Sequence, residues 1–179
     1  MKTSVLLGVG FALFVFTRTG QNNTVPDDSI FSPIIDGVLG MWHAPTEYAN
    51  LISQVEINNN IPTGILERLL YQECHYRDDI ISGATRSPVG ALGIAQFMPA
   101  TAKELGINPL EPNQAIPAAG IYLSKLFARF GNWSEALAAY NWGMGNVSRK
   151  GLDKAPPETV AYYTNILGDV NAEYGTLIA

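Results

Sequence analysis

From Thr46 to Tyr174 the apolar residues recur at helical spacing, and no stretch alternates strictly between apolar and polar positions. A chain patterned this way has no half-buried strand to give a sheet, so the predicted class is mostly α, each helix burying one stripe. A helix is expected from Thr46, read as its cap, to about Asn58, where three asparagines and Ile61-Pro62 break it. A second starts near Pro62 and carries Ile65, Leu66, Leu69 and Leu70. Gly83 to Gly93, with Pro88, reads as a loop. Pro99 opens a helix through Leu105, closed by Gly106. Asn113 can cap one bearing Ile116, Leu123, Leu126, Phe127 and Phe130, which Gly131 ends. Ser134 opens a short helix through Tyr140, and a last one runs from Glu158 to about Tyr174.

Ahead of these helices stands a different kind of segment. Lys2 is followed by an uncharged, largely apolar stretch from Thr3 to Thr17, and then Arg18. A cation and an apolar run look like an export signal. Fifteen helical residues reach about 22 Å, short of a hydrocarbon core of roughly 30 Å, so a spanning helix needs thinning or snorkelling. Thr17-Arg18-Thr19 is a poor cleavage site. A cleaved signal, an uncleaved anchor and a buried structural segment therefore stay open. The expected organisation is a signal peptide or membrane anchor over 1–19, a linker with Pro26, Pro33 and Pro45 over 20–45, and one helical domain over 46–179.

Composition excludes several functions. With 47% apolar and 15% charged residues the chain is globular, and its net charge of −5 comes with no Lys/Arg run beyond Arg149-Lys150. A phosphate-backbone binder needs a basic face, so nucleic acid is not an expected partner. The one cysteine, Cys74, can form no intrachain disulfide, and with only His43 and His75 beside it there is no spaced metal-ligand set. His75 is its neighbour in sequence and points about 100° away on a helix, which makes a thiol enzyme a poor reading. No metal and no cofactor are expected.

Glu73 is the informative residue. Taking Ile65 as the origin and about 100° per residue, Leu69, Leu66 and Leu70 spread around a mean direction near 70°, and Glu73 falls near 80°. It sits in the middle of the apolar stripe, whereas Glu67, near 200°, should face solvent. A carboxyl against an apolar wall has its charged form disfavoured and its pKa raised, as a general acid near neutral pH requires. The plainer alternative is an acid at a helix end whose side chain escapes to water.

Glu73-Cys74 is followed by Ser87-Pro88-Val89-Gly90-Ala91-Leu92-Gly93-Ile94-Ala95-Gln96-Phe97-Met98-Pro99-Ala100-Thr101-Ala102. Then come Ala139-Tyr140-Asn141 with Gly143 and Gly145, and Glu158-Thr159-Val160-Ala161-Tyr162. Four elements in this order resemble the lytic transglycosylase catalytic domain, of the soluble-transglycosylase family related to goose-type lysozyme. The resemblance implies a lysozyme-like helical fold and makes 46–179 a catalytic domain acting on peptidoglycan glycan strands. It implies that Glu73 protonates the oxygen between N-acetylmuramic acid and N-acetylglucosamine. The same residue would then act as base on the muramic C6 hydroxyl, giving a 1,6-anhydro product. It places Ser87 near Glu73, Gly93, Ala95 and Gln96 along the sugar groove, and Tyr140 and Asn141 beside Glu73, with the tyrosine hydroxyl holding substrate or carboxylate. Glu158 and Tyr162 are carried over as binding residues, with a helix cap and a core tyrosine as their plainer reading.

Three departures stand out. Cys74 replaces the usual serine. Ala95 stands in place of methionine and is expected to widen the groove. The segment from Cys74 to Arg86 is long, leaving Asp78 and Asp79 as candidate second carboxylates, although a solvated loop suits them better. A goose-type hydrolase and a non-catalytic wall-binding protein are the alternatives. The apolar start and negative charge suit an exported protein on the periplasmic side of the membrane, held there by residues 3–17, or a virion protein if phage-encoded. A local wall-opening role in phage entry or lysis, or beside a secretion or conjugation apparatus, would follow.

Overall fold

The computed structural model describes residues 42–175 and residue 178. The expectations for 1–19, and for 20–45 up to residue 41, lie outside the described residues. The helices are α1 (Thr46–Asn58), α2 (Ile65–Cys74), α3 (Asp78–Ile81), α4 (Pro99–Leu105), α5 (Pro112–Phe130), α6 (Trp133–Trp142), α7 (Met144–Lys150) and α8 (Pro157–Tyr174), with a 3₁₀ turn at Leu152–Lys154. Among the described residues there is no strand, only an isolated antiparallel bridge between Leu92 and Phe97.

Five helices close a ring: α1 packs on α2, α2 on α8, α8 on α6, α6 on α5, and α5 back on α1. The helix α6 is the hub, and its sequence explains why. Ala136, Leu137, Ala138 and Ala139 are all fully buried, so it is apolar most of the way round and lets α5, α7 and α8 close on it. Asn132 starts it, its Oδ1 accepting the Glu135 N–H at 2.8 Å. Where α1 meets α5, Gly120 lies under Val55. A Cβ there would come 2.2 Å from Val55 Cγ1, so only glycine allows the approach.

Most expected helices are present within a residue or two of their predicted ends. The exceptions have local causes. Pro62 does not open α2, because Pro62 to Gly64 form a turn and Gly64 takes φ +89° before the helix begins at Ile65. The short α3 and α7 were not predicted; each is too brief for a periodicity to show. Trp42 to Pro45, placed in the linker, pack on the domain, with Trp42 buried. Glu67 was expected in solvent. Instead its Oε1 accepts the Ala44 N–H at 2.8 Å and lies 3.5 Å from His43, because this segment docks over α2.

Candidate active site

Ile65, Leu66, Leu69 and Leu70 are fully buried, and their stripe carries Glu73 to the end of α2 half-buried. It does not escape to water. The Tyr162 hydroxyl, from α8, donates to Glu73 Oε1 at 2.6 Å. Burial pushes the Glu73 pKa up to about 7, against the pull of that hydrogen bond, which favours the carboxylate. Burial first and Glu73 second raise the Tyr162 hydroxyl well above its ordinary range. Tyr162 therefore remains a donor throughout the range in which Glu73 titrates.

A second carboxyl is pushed up to about 7 by burial, and it shows what a structural acid looks like. Glu56 of α1 is almost wholly buried and accepts the N–H groups of Gly64 (3.0 Å), Leu66 (2.9 Å) and Glu67 (3.3 Å). It caps the start of α2, satisfying amides with no partner within the helix. Its oxygens are committed to backbone and shut off from solvent. Glu73, with one hydroxyl donor and partial exposure, can meet a substrate. Sequence reasoning missed Glu56, although it follows Ile52 by four residues and lies on the apolar face of α1, the same signal that marked Glu73.

The chain between α3 and α4 folds into a tight turn across the Leu92–Phe97 bridge. Gly93 has φ +73°, and a Cβ on it would come 1.8 Å from the Pro109 carbonyl oxygen, so the turn requires glycine. Gln96 also has positive φ, and its Nε2 donates to the Gly93 carbonyl at 2.9 Å. Its side chain braces the turn while staying half-exposed. Ala95 is fully buried, and its carbonyl accepts the Tyr140 hydroxyl at 3.0 Å. The Tyr140 hydroxyl thus donates to the turn, while burial first and the nearby Glu73 second raise it well above its ordinary range; its ring packs with Phe97 and Tyr122 at separations of 6.1 and 5.6 Å. The hydroxyl that reaches Glu73 belongs to Tyr162. Gly93 is likewise buried and shapes the turn from beneath. Ser87 Oγ accepts the Val89 N–H at 3.2 Å, a bond within its own loop rather than one to Glu73.

Asn141, exposed near the end of α6, accepts at Oδ1 from the Thr159 hydroxyl at 2.8 Å. Thr159 is fully buried in the first turn of α8, and no role was read for it in the sequence. Glu158 beside it is exposed. Asp79 is held by Arg77, two contacts at 2.7 and 3.1 Å, and its pKa is lowered by hydrogen bonds to Thr85 and Arg77, as for an ion-paired surface acid. Asp78 is exposed in the same short helix. Burial pushes the Cys74 thiol up to about 11, away from nucleophile chemistry. Among the described residues no cluster of three His, Cys, Asp or Glu could hold a metal ion.

The arrangement can give a proton to a bound oxygen and take one back. The chain is 38% identical over 84 residues to a transglycosylase of Enterobacteria phage PRD1, covering 46% of this chain and 32% of the relative. It is 33% identical over 120 residues to a membrane-bound lytic murein transglycosylase F of Pseudoalteromonas translucida, covering 56% and 25%. This chain therefore spans about a third or less of the length of these relatives. The fold is similar to the 70 kDa soluble lytic transglycosylase of Escherichia coli, with a TM-score of 0.60 and 28% identity over 75% of this chain and 26% of that one. Lytic transglycosylase Slt of Pseudomonas aeruginosa shares the fold at a TM-score of 0.62 and 23% identity, over 81% and 27%. The family model of the transglycosylase SLT domain matches residues 50–162. The chain belongs to the transglycosylase SLT domain family.

Proposed function

We propose that this protein is a peptidoglycan lytic transglycosylase that cleaves the bond between N-acetylmuramic acid and N-acetylglucosamine with Glu73 as its single acid and base. The observation that carries the proposal is the pairing of Glu73, its pKa pushed up to about 7, with the neutral hydroxyl of Tyr162. At neutral pH a large fraction of such a carboxyl holds its proton and can deliver it to the glycosidic oxygen. The resulting carboxylate is stabilised by Tyr162 and withdraws the proton of the muramic C6 hydroxyl. The C6 oxygen attacks C1, closes the 1,6-anhydro ring and returns Glu73 to its starting state. Asp79, tied to Arg77, is poorly suited to supply a second carboxylate.

Replacing Glu73 by Gln removes the transferable proton and should lower turnover of purified wall by about a hundred- to ten-thousand-fold. Mass spectrometry of the digest should show anhydro-muramic ends. Reducing ends would instead assign a hydrolase, and unchanged clearing by Glu73→Gln would end the catalytic proposal. The relatives include proteins named as membrane-bound and others from phages, among them the peptidoglycan transglycosylase gp16 of Escherichia phage T7. These names favour an exported or virion-held enzyme that opens the wall locally. No helix among the described residues is long and apolar enough to cross a membrane.

A further inference from the structure

We propose that Thr159 is a positioning residue that fixes Asn141 as a hydrogen-bond donor toward an acceptor oxygen of the bound sugar; this rests on the proposed action on glycan strands. An exposed asparagine ordinarily samples several side-chain orientations. Here Oδ1 of Asn141 is engaged at 2.8 Å by a hydroxyl that is itself fully buried. A buried hydroxyl left without a partner is costly, so each group holds the other in place. The amide carbonyl is spent on Thr159, and the two Nδ2 hydrogens of an exposed residue are left for the solvent side. Their complement is a carbonyl or hydroxyl oxygen, groups that an N-acetylated sugar displays.

The placement of Thr159 ties this amide to the acid. Thr159 and Tyr162 stand three residues apart on α8 and so share a helix face. One reaches Asn141 on α6 and the other Glu73 on α2, and α8 packs on both helices. A single rigid turn therefore sets the spacing between the proton donor and the amide. Loss of the threonine hydroxyl should misorient the amide without disturbing the fold.

The experiment compares Thr159→Val, Thr159→Ser, Asn141→Ala and the Val/Ala double variant, with kcat and KM on purified wall, the unfolding midpoint, and NMR of the Asn141 side-chain amide in the full chain. Thr159→Val should lower kcat/KM about tenfold, the size of one hydrogen bond, and Thr159→Ser should regain most of it. The double variant should be no worse than Asn141→Ala alone, and the Asn141 side-chain amide should change from one restrained orientation to an average. Multiplicative losses in the double variant, a restrained amide in Thr159→Val, or wild-type kcat/KM in that variant would each overturn the proposal. The amide signal needs no turnover. If Glu73→Gln is as active as wild type, the functional proposal fails, and the NMR arm still judges Thr159 separately.

Discussion

At the scale of single residues, two acids with the same elevated pKa have opposite duties, and the difference lies in their partners. Glu56 spends its oxygens on three backbone N–H groups and caps α2, whereas Glu73 has Tyr162 and an open side. Because the Tyr162 bond favours the carboxylate, removing it should raise the Glu73 pKa above about 7. In Tyr162→Phe the alkaline limb of the pH–rate profile should therefore move to higher pH, while kcat falls about tenfold or more as the half-buried carboxylate loses its donor. A pH–rate series on purified wall checks this. A limb that moves to lower pH would contradict the assigned role. Glu73 was legible in the sequence because helical spacing placed it among Ile65, Leu66, Leu69 and Leu70. Thr159 was not, because a hydrogen bond between residues 18 apart leaves no mark on periodicity.

At the scale of elements, the turn from Leu92 to Phe97 is the part least tolerant of change. Gly93 combines φ +73° with a carbonyl oxygen 1.8 Å from where a Cβ would lie, and that oxygen is main chain of Pro109, which no rotamer change can move. Gly93→Ala should cost about 1–3 kcal/mol or more, from strain and displacement of the neighbouring chain. Urea unfolding measures it. Unchanged stability would mean that the turn can be rebuilt without glycine. Displacing this turn should also loosen Tyr140, whose hydroxyl rests on the Ala95 carbonyl. The family pattern indicated that these residues matter but not which atoms each one bonds. A motif gives the order of residues, but the side of a turn that each one faces depends on what packs beneath it. Ala95 meets the Tyr140 hydroxyl with its carbonyl, and Gly93 leaves no room for a Cβ against Pro109, so both act through the backbone.

At the scale of the whole molecule, the two raised carboxyls give stability a pH dependence with a definite sign. Unfolded, Glu56 and Glu73 titrate near 4.5; folded, near 7. Between those values the native chain holds more protons than the unfolded one, so stability should fall as pH rises from about 4.5 to about 7 and then level off. Glu173, also raised by burial, adds in the same direction, while the lowered Asp79 acts only below its ordinary 3.8. Urea midpoints measured from pH 5 to 8 should decline, and Glu73→Gln should flatten part of the decline. A rising midpoint would show that the buried acids are paired more strongly than this geometry gives. The sequence by itself determined the helical class, most helix positions and the acid at the end of α2, because each depends on local periodicity, capping and turn residues. Only the tertiary structure decided that Tyr162 rather than Tyr140 holds that acid, that Thr159 holds Asn141 and that Glu56 caps α2. Those are contacts between separate helices, made when the α1–α2–α8–α6–α5 ring closes and brings distant hydroxyls and carboxyls within hydrogen-bonding reach.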